Sequence, residues 1–154
     1  MIGTAPRSRC HGDPSLLHLA VHLFVFDRRG RLFLQRRSRS KRIQPGRWDA
    51  SVGGHVDSGE APLDAAIREA GEELGIFGFE LTFLHQYVWR TDIESELVHT
   101  YRCHHEGPFQ LHPEEIEEGR FFGRDEVLSR VGDGTLTPNL EHELPLLGIR
   151  RAGS

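Results

Sequence analysis

Apolar and polar positions along this chain change period several times, and the changes mark out its elements. Leu17–Phe26 alternates and is rich in branched and aromatic residues, the signature of a strand. Asp27-Arg28-Arg29-Gly30 is turn chemistry, and Arg31–Arg36 completes a hairpin. The polar run Arg37–Gln44 ends at Pro45-Gly46, and Trp48–Gly53 is a short strand running into the pair Gly53-Gly54. The spacing then turns helical. Leu63, Ala66, Ile67, Ala70 and Leu74 form one apolar stripe, with Pro62 in the first turn and Gly75 at the stop. Phe79–Arg90 and Glu96–His105 return to strand character on either side of a polar loop at Asp92–Ser95. Gly119–Phe122 adds a short strand, and Arg124–Arg130 and Pro138–Leu144 are short helices, the second stopped by Pro145. No internal repeat or low-complexity tract interrupts this order. The pattern predicts a mixed sheet with helices packed on it, α+β or α/β. Residues 15–150 form one domain, and residues 1–14 a flexible lead-in.

Composition narrows the class. A chain of 154 residues with 37% apolar and 27% charged content suits one soluble core. The net charge of −4 weighs against a nucleic-acid binder, whose footprint is a basic excess. Basic residues nevertheless gather between Arg28 and Arg47 without a single acid, either as a solvated face or to hold an anionic ligand. Two cysteines, Cys10 and Cys103, make no disulfide framework and point to a reduced, cytoplasmic setting. The apolar run Leu19–Phe26 is too short to span a bilayer, and the N-terminus lacks an apolar signal core.

The chemistry gathers on the central helix. Glu69, Glu72 and Glu73 stand at i, i+3 and i+4, within roughly 100° of the helix surface and beside the apolar stripe. Like charges so placed repel unless a cation neutralises them, and Arg68 is the one base on the helix. Hard carboxylate oxygens on a rigid element suit Mg²⁺ or Mn²⁺, which bridges to substrate phosphate oxygens. A solvated acidic face is the plainer alternative for the three acids alone.

Their context selects the first reading. Gly54, Glu60, Arg68-Glu69-Ala70, Glu72-Glu73 and Gly75-Ile76 match the box Gly-x5-Glu-x7-Arg-Glu-U-x-Glu-Glu-x-Gly-U of the Nudix hydrolases, U being bulky or apolar; Ala70 is a small occupant of its U position. The resemblance implies the Nudix fold, an α+β protein built as an α/β/α sandwich whose mixed sheet is flanked by helices. It implies a diphosphatase that uses Mg²⁺ (or Mn²⁺). Glu72 and Glu73 match the paired metal-binding glutamates, and Glu69 matches the one that binds metal or serves as general base. Gly54 matches the glycine that lends its carbonyl to a metal, and Glu60 and Arg68 match a supporting pair holding loop to helix. Gly71, inside the helix, costs about 1 kcal/mol against alanine, so a side chain there must obstruct something.

A second likeness adds residues outside the box. Leu17-His18-Leu19-Ala20, Arg36–Lys41, Pro45-Gly46-Arg47-Trp48, Gly54-His55 and Glu94-Ser95-Glu96 resemble the type I isopentenyl-diphosphate isomerases, which share the fold. By that resemblance His18, His55, Glu94 and Glu96 form a second metal site, and Arg37 and Lys41 grip the diphosphate. An arginine fork and a lysine point charge suit phosphate. The isomerases also carry a cysteine immediately before the Gly-His pair. Here that residue is Gly53, which points to a hydrolase branch near the isomerases. Glu96 is the preferred catalytic glutamate outside the box, followed by Glu115 and Glu118. Among the aromatics, Trp48, beside the Pro45-Gly46 turn, is expected to reach the pocket. The expected partner is a small diphosphate substrate, and Nudix relatives are often homodimers. Three classes stay open: diphosphatase, isomerase-like enzyme on a prenyl diphosphate, and non-catalytic metabolite-binding module.

Overall fold

A computed structural model describes residues 17–38, 44–92 and 95–151. The lead-in at 1–14, Cys10, Lys41 and Glu94 lie outside the described residues. Strands β1 (Leu17–Phe26), β2 (Leu32–Arg37), β3 (Trp48–Asp49) and β4 (Val52–His55) precede helix α1 (Pro62–Leu74). Strands β5 (Thr82–Arg90), β6 (Ser95–His104) and β7 (Ile116–Phe122) follow, then short helices α2 (Arg124–Ser129) and α3 (Pro138–Glu143). One mixed sheet runs β3-β2-β1-β6-β5, with β4 also pairing β1 and β7 pairing β2.

β1 is the axis of the molecule. It pairs in parallel with β6 along its whole length, from Leu17 opposite Ser95 to Phe26 opposite His104. Its other edge takes β4 near the start and β2 at the end, both antiparallel. Both faces of β1 are covered. Val21, Leu23 and Val25 enter a core with Ala65, Ala66, Ala70 and Leu74 of α1. Phe24 and Phe26 enter a second core with Leu136, Leu140, Leu144 and Ile149 near the C-terminal end. The result is the three-layer α+β sandwich. A strand buried on both faces reads as a nearly continuous apolar run, as β1 does.

The helix ends as its sequence predicts. Pro62 occupies the first turn, and Gly75, at φ 66°, takes the left-handed stop that glycine tolerates. Its buried stripe is rolled from the predicted one. Ala65, Ala66, Ala70, Glu73 and Leu74 face the sheet, whereas Leu63 and Ile67 are 43% and 39% exposed. Alanines let the helix sit close to β4 and β1, and this roll carries Glu73 onto the buried side instead of beside it. The segment Phe79–Leu81 stays outside β5, which begins at Thr82. Among the described residues no helix is long and apolar enough to cross a membrane.

The obstruction at Gly71 is the Phe77 ring, whose Cε1 lies 2.6 Å from where an alanine Cβ would stand. That ring is 75% exposed and can swing into solvent at little cost. Gly71→Ala is therefore expected to stabilise the protein by up to about 1 kcal/mol through helix propensity. Urea denaturation checks this, and a loss of stability would show that the Phe77 ring is fixed in place.

Candidate metal centre

β4 threads between the two helical layers, and its residues alternate between them. Val52 enters the core under α1, and Gly54 faces α1 with it. A Cβ at Gly54 would overlap the Glu69 carboxylate, so only glycine lets that carboxylate lie against the strand. Gly53 and His55 face the opposite side. The ring of His22 stands beside Gly53, 3.5 Å from the position of an added Cβ, and His55 meets Glu96. The Gly53-Gly54 pair thus clears space on both faces of the sheet.

On the α1 side, the three box carboxylates gather unevenly around one base. Arg68 donates to both Glu60 oxygens, at 2.9 and 3.0 Å, to the His55 carbonyl at 3.0 Å and to Glu69 at 2.7 Å. A weaker reach of 3.4 Å extends to Glu72. This guanidinium ties the loop after β4 to the helix and holds the Glu60 carboxyl below its usual range. Glu73 accepts from the Gln35 side chain at 2.7 Å and from the Gly53 N–H, and no basic side chain among the described residues pairs with it. Burial, with Glu69 alongside, pushes its carboxyl well above the normal range. Burial and the nearby Glu72 also raise Glu69. Two crowded carboxyls that both resist ionisation form a hard oxygen donor set that a divalent cation fits.

On the opposite face, His18, His55 and Glu96 converge, with one ligand atom from each lying within 4.8 Å of the others. His55 Nε2 is 2.9 Å and His18 Nε2 3.4 Å from the same Glu96 oxygen, and the two rings are 4.7 Å apart. Burial alone would raise the Glu96 carboxyl, but the two imidazoles outweigh it and hold it well below the usual carboxylate range. Two imidazoles and an ionised carboxylate form a donor set suited to a divalent transition metal.

Farther along the same face lies Glu143, a residue that sequence reasoning missed. It is completely buried at the end of α3. It is held by His22 Nδ1 at 2.7 Å, His85 Nε2 at 2.9 Å, the Tyr87 hydroxyl at 2.8 Å and the Thr100 hydroxyl. The Tyr87 oxygen also lies 2.6 Å from the Asn139 side-chain amide. Burial would lower the His22 imidazole, but the Glu143 carboxylate outweighs it and lifts the ring from 6.5 to about 9. Despite its burial, Glu143 is drawn down to about 2, chiefly by His22. The available signal was an acid on the face of α3 that also carries Leu140 and lies next to Leu144.

The remaining predicted residues are dispersed. Arg37 is half-buried, with a 3.4 Å contact to Asp49. Lys41 and Glu94 fall outside the described residues. Glu118 pairs with Arg36 at 2.9 Å. Trp48 does not line a pocket as expected. It is 6% exposed in the second core, edge-on to Phe122 at 4.8 Å, with Arg120 over its ring. Its apolar area is better buried there than held at a polar rim.

Comparisons with known proteins agree with this arrangement. The NUDIX domain profile matches residues 16–141. A Nudix hydrolase from Yersinia pestis is 38% identical over 120 residues, which are 78% of this chain and 66% of that protein. An isopentenyl-diphosphate Delta-isomerase from Streptomyces griseus is 48% identical over 75 residues, 49% of this chain but 38% of that protein. The chain therefore spans less than two thirds of either relative. A crystal structure from Deinococcus radiodurans superposes with a TM-score of 0.74 at 26% identity, covering 87% of this chain and 83% of that one.

The lifted His22 ring has a consequence for stability. Its protonated form stabilises the fold fully below pH 6.5, and that contribution is lost as pH rises from 6.5 towards 9. Wild-type protein should lose on the order of 3 kcal/mol across this window, and His22→Gln should not. Urea denaturation at the two pH values measures the difference, and parallel losses would rule out the His22–Glu143 pair as its source.

Proposed function

Because this chain belongs to the Nudix family of hydrolases, we propose that it cleaves a diphosphate linkage in a nucleoside diphosphate derivative or related small molecule. The metal is Mg²⁺ (or Mn²⁺), held by Glu69, Glu72, Glu73 and the Gly54 carbonyl. The observation that carries this reading is Glu73, buried without a cationic partner among the described residues and pressed against Glu69. Hard carboxylate oxygens on a helix fit such a cation, and neutralisation by it relieves the repulsion that raises both carboxyls. When bound, the metal neutralises the diphosphate and makes a coordinated water acidic enough to attack phosphorus.

The chain's own groups supply the rest. Arg68 and Glu60 fix the helix against the loop that follows β4, so that Gly54 and Glu69 keep their close approach. Glu69, half-buried, is the first candidate to take the proton from the attacking water. Glu96, held ionised by His18 and His55 on the opposite face, is assigned with them to a second metal site. Arg37 and Lys41 are proposed to grip the diphosphate.

One observation favours a second reading. His18, His55 and Glu96 converge as the isomerase likeness implies, which suggests an isomerase-like enzyme acting on a prenyl diphosphate. Gly53 weighs against it, because no thiol stands before Gly54-His55. Cys103 is no substitute, lying in the α1-side core with its thiol pushed up to about 12 by burial.

Diphosphate or phosphate release from nucleoside diphosphate derivatives, nucleotide sugars, coenzyme A and isopentenyl diphosphate separates these readings. Turnover with Mg²⁺ that EDTA abolishes, and that Glu73→Gln lowers on the order of 10²–10³-fold, is the expected result. Conversion of isopentenyl diphosphate to its isomer would establish the second reading. Tight binding of one compound without turnover would make the chain a binding module.

A further inference from the structure

Two cavities adjoin at Arg124, at the end of β1 away from the carboxylate helix. The first, of about 250 Å³, has an apolar lining that includes Phe26, Leu32, Phe122, Val127 and Ile149, all buried. Arg102 and Arg124 stand at its margin, and Gly30 lies at an open mouth where a Cβ would meet nothing within 4 Å. The second, of about 420 Å³, lies between α2 and the C-terminal segment, where Arg124 is joined by Arg150 and Arg151. Asp125 is the one acid among the lining residues, and it borders only the second cavity. Gly54 pairs with Val21, and Phe26 lies about 17 Å farther along β1, five residues of strand. The cavities therefore take no part in the metal centre.

The two guanidiniums of the first cavity are held in place without being neutralised. Arg102 lies over the Phe26 ring, its Cζ 4.5 Å from the centroid, and its Nη2 is 3.4 Å from His104 Nε2. Arg124 donates to the Gly148 carbonyl at 2.9 Å and to the Arg150 carbonyl at 2.8 Å, which fixes it against the C-terminal segment. Those two bonds leave three of its five N–H groups for another acceptor. No carboxylate among the described residues pairs with either arginine. Nearby acids are engaged elsewhere, Glu126 with Arg120 at 2.9 Å and Glu106 with Arg28 at 3.7 Å. Hydrocarbon walls between two fixed, unneutralised guanidiniums are the complement of an anion with an apolar body.

We propose that the first cavity binds a small organic carboxylate with a hydrocarbon body, the body inside the cavity and the head between Arg102 and Arg124. The size fits, since 250 Å³ holds about eight groups the size of a water molecule. Arginine forks match a carboxylate in geometry, and stacking on Phe26 already restrains one of them. A cation of the same shape would be repelled by both arginines. The lining comes from β1, β2, β6, β7, α2 and the C-terminal segment, so a bound anion ties these elements together and stabilises the fold by mass action. The site is independent of the diphosphate chemistry proposed at α1.

Calorimetric titration and thermal unfolding of the full chain test this, with octanoate, octylamine and acetate as probes. Octanoate should bind saturably and raise Tm, and octylamine should do neither. Acetate, which lacks the body, should bind at least ~10-fold more weakly. Arg102→Gln, at a half-buried position on the cavity margin, should weaken octanoate on the order of 10- to 100-fold. Leu147→Glu, which sets a like charge beside the cavity, should act in the same direction and serves if Arg102→Gln does not fold. Failure of octanoate to saturate at millimolar concentration would overturn the assignment. So would equal binding of octylamine, which needs only an apolar surface, or undiminished octanoate binding by the variants, which would place the anion elsewhere. None of these readouts depends on turnover, so they stand apart from the hydrolase reading.

Discussion

Buried negative charge is the constraint around which this protein is organised. Glu73, Glu96 and Glu143 are each removed from water, and an unpaired buried carboxylate is too costly to persist ionised. The fold answers differently at each. Glu96 receives two imidazoles, and Glu143 receives His22, His85, Tyr87 and Thr100. Among the described residues Glu73 receives only neutral donors, from Gln35 and Gly53, with a second acid beside it. The first two are satisfied from within. The third is left with an electrostatic deficit that a divalent cation fits.

The sheet decides which carboxylate receives which partner. Because β4 alternates sides, Gly54 yields room to Glu69 under α1, while Gly53 yields room to His22 on the α3 side and His55 reaches Glu96. One short strand thereby links the carboxylate helix to the His18–His55–Glu96 cluster. The parallel pairing of β1 with β6 sets His18 directly opposite Glu96 and His22 directly opposite Thr100, so the cluster and the Glu143 network lie in line.

Likeness to both a Nudix hydrolase and an isopentenyl-diphosphate isomerase has a physical counterpart in these residues. The carboxylate helix carries all three box acids, and His18, His55 and Glu96 converge, while Glu94 lies outside the described residues. What differs is the residue before Gly54. A thiol there would stand against the His22 ring, whereas Gly53 leaves that ring's edge open.

The sequence by itself determined what is local. The span of β1 and the Pro62 start and Gly75 stop of α1 follow from period and capping, and the box from Gly54 to Ile76 from family resemblance along one contiguous stretch; none of these needs knowledge of distant contacts. Resemblance added His18, His55 and Glu96, which lie far apart in the chain. Tertiary structure alone decided the roll of α1, because Ala65, Ala66 and Ala70 allow close packing that turns Leu63 and Ile67 outward and Glu73 inward. It alone sent Trp48 into the core, since β2 and β7 bring Phe122 against its ring. It alone made Glu143 a buried hub, because that carboxylate's donors come from β1, β5 and β6. Spacing along a chain fixes which residues share a face of one element. Which faces then meet, and so which charges must be neutralised, is settled only when the sheet forms.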